Sequence, residues 1–360
     1  MKRAAPFILG IAAVVVAAVV VFAVMRPGGS GPGPGPSDDP SAPATSPAGS
    51  LPPDPGSGDP LPLGTIAPDS FTEGDACPDG HGCRQFRVAC PGLREDARVS
   101  IAVAEPRGAP RGAVALFSGG GGREWWVDEG TTASFVEDLR DEGLAVVQIR
   151  WKDEWLGAAS GEMAGPHRLA CRSATVIRWI HDEVYSPLGV SAPGPGRCGF
   201  CLSGSSGGAS QITYALAFYG IADLVDVLAP SGGPPHAALA RGCLRDPADE
   251  DYWYEGSSVQ TIDASWGFRG GGPCVSHDAG FRPRWLEASV ELAGNDYAYP
   301  ETRVRVIIGQ HDRIQAHARD YVARLRRGGT DVELEIVPGM GHAIASSPDG
   351  LEVLRRILVA

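Results

Sequence analysis

Between Cys198 and Tyr219 the chain reads as a strand, a turn of small residues and a helix, and the turn restricts what can surround it. Cys198-Gly-Phe-Cys-Leu202 is a short apolar run, Gly204-Ser-Ser-Gly-Gly-Ala209 follows, and Gln211 to Tyr219 has helical character. In Gly204-Ser205-Ser206-Gly207-Gly208, the serine at position 206 has glycine two residues away on either side. A serine at the tip of a sharp strand-to-helix turn is held in a strained conformation, and larger side chains two positions away would collide. Such a turn aims the next backbone N–H, that of Gly207, at the space above the hydroxyl. Ser205, flanked by Ser203 and Gly207, is the second candidate for the tip, and Ser203 the third.

Two later segments give the turn a context. Val304-Arg-Val-Ile-Ile-Gly309 reads as a buried strand with Gln310-His311-Asp312 at its end. A helical stretch follows, then the strand Val332-Glu-Leu-Glu-Ile-Val337 and the loop Pro338-Gly-Met-Gly-His342. Serine, then an acid after one strand, then a histidine after the next is the chain order of the α/β-hydrolases. From about Cys83 to the C-terminus the sequence resembles that superfamily, with no single family within it singled out.

The resemblance implies Ser206 as nucleophile, His342 as general base and then general acid, and Asp312 as the carboxylate that orients the ring. Asp312 can also be read as the cap of the helix that starts near Ile314. Asp226 is the alternative acid, but it falls within a strand run away from the C-terminal end. Gly207 supplies one oxyanion donor, and the loop Ser118-Gly-Gly-Gly-Gly122 resembles the glycine-rich oxyanion loop of esterases and lipases. Gly120 or Gly121 is expected to give the second N–H. Trp125, Trp126 and Trp151, just past two strand ends, and His236, after Ser231-Gly-Gly-Pro-Pro235, are candidates to line the substrate pocket.

The remainder alternates strand and helix. Gln85 to Ala89 and Ala97 to Val103 alternate as half-exposed edge strands. Ala113 to Phe117, Leu144 to Ile149 and Leu224 to Leu228 are continuous apolar runs, as interior parallel strands require. Thr132 to Glu142, His167 to Val184 and Leu351 to Val359 read as helices. This implies an α/β fold: the α/β-hydrolase fold, with a mostly parallel sheet flanked by helices. Residues 232–301 interrupt the alternation with weak periodicity and an aromatic cluster that includes Tyr252, Trp253, Tyr254, Trp266, Phe281 and Trp285. A structureless loop of that length does not suit a compact domain, so a cap-like insertion over the strand ends is expected.

The first seventy residues differ in kind. Phe7 to Met25 is uninterrupted apolar sequence between Met1-Lys-Arg3 and Arg26. It would span roughly 28 Å as a helix, close to the bilayer core and longer than a signal-peptide apolar region. Residues 1–26 are therefore expected to anchor the chain in a membrane with the remainder outside, in preference to a cleaved secretory signal. Residues 27–70, rich in Pro, Gly, Ser and Asp, are expected to be a disordered spacer ahead of a catalytic domain at 71–360. Export suits the eight cysteines, for which disulfides are the default. Cys243 with Cys274 is the preferred pair, since both lie in the insertion. Cys198 and Cys201, three apart on a strand, should point to opposite faces, which disfavours redox or zinc chemistry there.

With 31 basic and 43 acidic residues, net −12, and no basic cluster, the chain does not suit nucleic acid as a partner. The expectation is an exported serine hydrolase of small-molecule or lipid-like esters, acting through an acyl-enzyme and needing no cofactor or metal. An extracellular acyltransferase with the same triad and a non-catalytic binding module on the same scaffold are the alternatives.

Overall fold

The computed structural model describes residues 59–70, 77–128, 132–190, 197–290 and 297–360. The expected anchor and most of the expected spacer lie outside the described residues. Nine strands form one sheet in the order β1-β2-β3-β5-β4-β6-β7-β8-β9. Their ranges are β1 Thr65–Pro68, β2 Gly82–Ala89, β3 Ala97–Ala104, β4 Gly112–Phe117, β5 Leu144–Trp151, β6 Phe200–Ser205, β7 Val227–Ser231, β8 Arg303–Gly309 and β9 Val332–Val337. The pairs β1–β2, β2–β3 and β3–β5 are antiparallel, and the remaining pairs are parallel.

Every residue of β4 is buried, because helices cover both faces of the sheet. Its side chains divide by the two-residue period. Ala113, Ala115 and Phe117 pack on one face with Ile177 of α3 (Cys171–Ile180), Ile212 and Ala215 of α4 (Gly207–Tyr219), and Tyr321 and Leu325 of α9 (Gln315–Arg327). Val114 and Leu116 pack on the other face with Phe135 and Leu139 of α1 (Thr132–Asp141) and Leu351, Leu354 and Leu358 of α10 (Pro348–Val359). The strand–helix alternation thus gives a doubly covered sheet, with the elbow strand β6 near its centre.

Three boundaries differ from the sequence reading. The domain begins before residue 71: β1 pairs with β2, and Leu61, Leu63 and Ile66 pack against the core from within the supposed spacer. Leu61 N–H donates to the Phe218 carbonyl and Gly64 N–H to Thr175 Oγ1. Three apolar residues among prolines are enough for an edge strand when a partner strand waits for them. The seventh strand starts at Val227, later than expected, because Ala222–Leu224 forms a 3-10 turn. The stretch from His167 is divided into α2 (Gly165–Leu169) and α3, meeting at Ala170.

The insertion between β7 and β8 is helical, with α5 (Leu239–Leu244), α6 (Ser257–Ser265), α7 (Pro273–Ser276) and α8 (Arg282–Ala288). It has its own core, in which Leu239, Tyr254, Ile262, Trp266, Phe281 and Trp285 surround the Cys243–Cys274 disulfide. Further disulfides join Cys77 to Cys83, Cys90 to Cys171, and Cys198 to Cys201. The last pair corrects the opposite-faces argument. Strand β6 begins at Phe200, so Cys198 lies ahead of the pleat and its sulfur can turn back to Cys201.

Candidate active site

Residue 206 sits between the last residue of β6 and the first of α4, with φ 50° and ψ −111°. This positive φ is costly for a side chain larger than glycine and persists only where the surroundings enforce it. They do so through crowding. A Cβ on Gly208 would lie 2.1 Å from the Phe117 carbonyl oxygen, and one on Gly204 would lie 2.3 Å from the Gly208 backbone. Ser206 N–H donates to the Ser231 carbonyl (2.8 Å), tying the turn to the end of β7. Ser203 and Ser205, the alternatives, lie within β6 and are buried, and Ser203 Oγ–H donates to the Ala229 carbonyl.

His342 Nε2 lies 2.7 Å from Ser206 Oγ. Its Nδ1 lies 3.1 and 3.0 Å from the two Asp312 carboxylate oxygens. The carboxylate can only accept, so Nδ1 carries the proton and Nε2 presents a lone pair to the hydroxyl. Asp312, in the loop between β8 and α9, has a side chain only 1 % exposed, against 45 % for His342. Asp312 Oδ1 also accepts from Ile314 N–H (3.1 Å), so the carboxylate both faces the imidazole and closes a turn just ahead of α9. A buried acid held from two sides fixes the ring, while the exposed imidazole faces the hydroxyl. Hydroxyl, imidazole and carboxylate are thus arranged for proton transfer away from Ser206.

Asp226, the other acid considered, stands just ahead of β7, at the opposite end of the strands. It accepts from Phe200 N–H (2.7 Å) and Gly199 N–H (3.0 Å). Burial pushes its carboxyl up, against the pull of those two donors. It joins strands and does not approach His342.

The glycine loop lies directly over the turn. A Cβ on Gly207 would come 2.0 Å from the Gly120 carbonyl oxygen. As the first residue of α4, Gly207 has an N–H without an intrahelical acceptor. Among the described residues no protein acceptor faces the N–H of Gly120 or Gly121 either. None of the three amides is therefore committed to an acceptor within the described residues.

The aromatic candidates are placed differently from the sequence reading. Trp126 is fully buried against Phe135, Trp125 lies 5 % exposed beneath the Arg150 guanidinium, and Trp151 is buried with its indole N–H on Gln211 Oε1. His236 is buried behind the turn, with Nδ1 2.9 Å from Ser210 Oγ, and burial lowers it to about 4. Position just past a strand end did not determine where these side chains point; packing beneath α1 and α4 did.

A cleft of about 1050 Å³ opens beside His342 and Asp312. The insertion forms one wall through Glu250, Trp253, Tyr254 and Glu255, and the segment from His311 to Arg319 forms the other. Arg313 and Glu255 form an ion pair across it (2.5 Å). Tyr252 O–H and the Arg241 guanidinium both donate to Asp320 on α9. His317 Nδ1 accepts from Ala238 N–H (3.3 Å), so its Nε2–H donates to the Tyr252 carbonyl (3.0 Å). Burial lowers His317 to about 4 as well. The sequence points to the aromatics of the insertion but not to the carboxylates and α9 residues that define this wall. The pairing of His311 with Asp312 at a strand end was the one signal within reach. Among the described residues no cluster of three or more His, Cys, Asp or Glu is placed to hold a metal ion, and no helix is long and apolar enough to cross a membrane.

No protein-family model matches the chain, and no curated protein matches it. Solved structures do resemble it. A bacterial heroin esterase is 18 % identical with a TM-score of 0.50, over 79 % of this chain and 87 % of its own. Carboxyl esterase 2 of the mycorrhizal fungus Tuber melanosporum is 18 % identical with a TM-score of 0.47, over 76 % and 81 %. Esterase Est22, solved with p-nitrophenol, is 14 % identical with a TM-score of 0.49, over 78 % and 80 %. Strand order, the placement of the helices and the first of these likenesses agree: the chain has the α/β-hydrolase fold.

Proposed function

We propose that this protein is a serine hydrolase that cleaves carboxylic esters. The reading rests above all on the contact of Ser206 Oγ with His342 Nε2, with Asp312 behind the ring. In the proposed reaction Ser206 Oγ attacks the ester carbonyl carbon as its proton passes to His342 Nε2. The carbonyl oxygen becomes an oxyanion held by Gly207 N–H and by Gly120 or Gly121 N–H. His342 then protonates the departing alcohol and leaves an acyl-Ser206. Water, deprotonated by the same imidazole, releases the acid and restores the hydroxyl.

We take the cleft beside His342 as the way in for the substrate, and its charged lining favours a small polar ester over a lipid-like one. The insertion's large rings Trp266, Phe281 and Trp285 are buried in its own core, and the cleft carries Glu250, Asp251, Glu255, Arg313 and Arg319. Four disulfides support an oxidising compartment, which is where an exported domain would reside.

The test is hydrolysis of p-nitrophenyl esters together with fluorophosphonate labelling. Wild type is expected to do both. Ser206→Ala is expected to abolish labelling and lower turnover by roughly four to six orders of magnitude, and His342→Ala to lower turnover by a similar factor. Labelling that survives in Ser206→Ala and disappears in Ser205→Ala would overturn the assignment.

A further inference from the structure

Behind the glycine loop lies a buried polar group that the proposed reaction leaves unused. Gln211, on α4 five residues past Ser206, is 1 % exposed. Its Oε1 accepts from Trp151 Nε1–H (2.7 Å) and from Ser173 Oγ–H (2.9 Å). Two donors on one oxygen fix the orientation of the amide, so Nε2 points the other way. There it is buried without a hydrogen-bond partner. An unpartnered amide in the interior costs free energy, so its retention asks for a reason.

Nε2 is turned towards the glycine loop. It lies 3.1 Å from the position a Cβ on Gly122 would occupy. The same position is 2.6 Å from Trp151 Cδ1 and 3.4 Å from Trp151 Nε1. Gly122 has φ +73°, and its carbonyl accepts from Trp151 N–H (2.7 Å). Gly121 is held in the same way, its carbonyl accepting from Trp155 N–H (3.1 Å). Ser173, Gln211 and Trp151 thus form one connected brace from α3 through α4 to the end of β5, and the brace terminates on the glycine loop.

We propose that Gln211, acting through the Trp151 indole, is a positioning residue that sets the register of the loop carrying the Gly120 and Gly121 amides over Ser206. This rests on the serine-hydrolase reading, because it assigns those amides to the oxyanion. Gln211 touches neither the substrate nor the reacting atoms. It fixes the indole of Trp151, the residue whose backbone N–H donates to the Gly122 carbonyl. If the brace is lost, the loop can shift by a fraction of an ångström, which matters for a charge that develops in the transition state and hardly at all for ground-state binding.

The experiment uses Gln211→Leu, which removes both polar ends, and Trp151→Phe, which removes the indole donor and keeps an aromatic ring in the core. Hydrolysis of p-nitrophenyl acetate and binding of a trifluoromethyl ketone, which forms an oxyanion on the serine, are measured for each. The expected result is a 10- to 100-fold fall in kcat with KM within about twofold, and an equal loss of ketone affinity. The double variant is expected to be no worse than the weaker single one, since both cut the same link. If Gln211→Leu fails to fold, Trp151→Phe carries the same test. Wild-type kcat and ketone affinity in a folded variant would overturn the inference and leave the parent reading intact. A wild-type protein that neither hydrolyses the esters nor labels at Ser206 would refute the parent reading itself.

Discussion

Two buried histidines tie the stability of this fold to pH. His236 and His317 are both lowered by burial from 6.5 to about 4. His236 faces His317, Tyr254 and Ser210, while Arg241, Asp320 and Tyr252 surround His317. The folded chain binds protons at these sites more weakly than the unfolded chain does. The unfolded chain therefore carries more protons between about pH 4 and 6.5, and stability rises with pH across that window. The contribution is complete above about pH 6.5 and is lost as the pH falls towards 4. At about pH 5 an unfolded histidine is almost fully protonated, whereas one held near 4 is about a tenth protonated. The difference is about 2 kcal/mol per histidine, and because the His317 charge bears on His236 the two contributions do not simply add. Either alone is an appreciable part of the roughly 5–15 kcal/mol typical of a domain. Urea unfolding of wild type, His236→Gln and His317→Gln at about pH 7.5 and pH 5 measures it. Each variant is expected to lose about 2 kcal/mol less than wild type on acidification. His167, also lowered to about 4 by burial, remains in both variants and sets a common background. An acid-induced loss equal to wild type in both variants would refute the reasoning.

Two further outcomes follow from the packing. A chain starting at residue 71 lacks β1 and the apolar contacts of Leu61, Leu63 and Ile66. Compared with one starting at 59, it is expected to lose on the order of 2–4 kcal/mol in urea unfolding. Gly208→Ala would place a Cβ 2.1 Å from the Phe117 carbonyl oxygen, a clash with main chain that no side-chain rotation relieves. Its melting temperature and fluorophosphonate labelling rate are both expected to fall well below wild type, with a cost of about 3 kcal/mol or more.

Much of the sheet was legible because the signals were local. β4 and β8 read as buried strands from their apolar runs, and the turn at 204–208 was visible from glycine spacing. These depend on a few adjacent residues whose backbone needs are strict. The contact between Ser206, Asp312 and His342 could be anticipated only through chain order, since the three lie over a hundred residues apart at the extremes. What failed depended on direction and on distant partners. Trp126 stands near a strand end, but Phe135 of α1 draws its ring into the core. β1 was hidden by the prolines and glycines around it, because an edge strand of four residues takes its stability from a neighbour. The charged wall of the cleft was illegible for the same reason. Glu255 acquires meaning only when Arg313, 58 residues away, lies opposite it.

The insertion has its own core and disulfide, but it is bound to the helix that follows the proposed catalytic acid. His317 and Asp320 of α9 hold Tyr252, Arg241 shares the Asp320 carboxylate, and Asp312 holds the Ile314 N–H just ahead of this helix. A redesign of this wall of the cleft cannot treat the insertion as an exchangeable module. A graft that omits Tyr252 and Arg241 would leave His317 and Asp320 of α9 unanswered, and the disturbance would travel a few residues upstream to the carboxylate. Altering specificity here therefore means altering α9 and the insertion together.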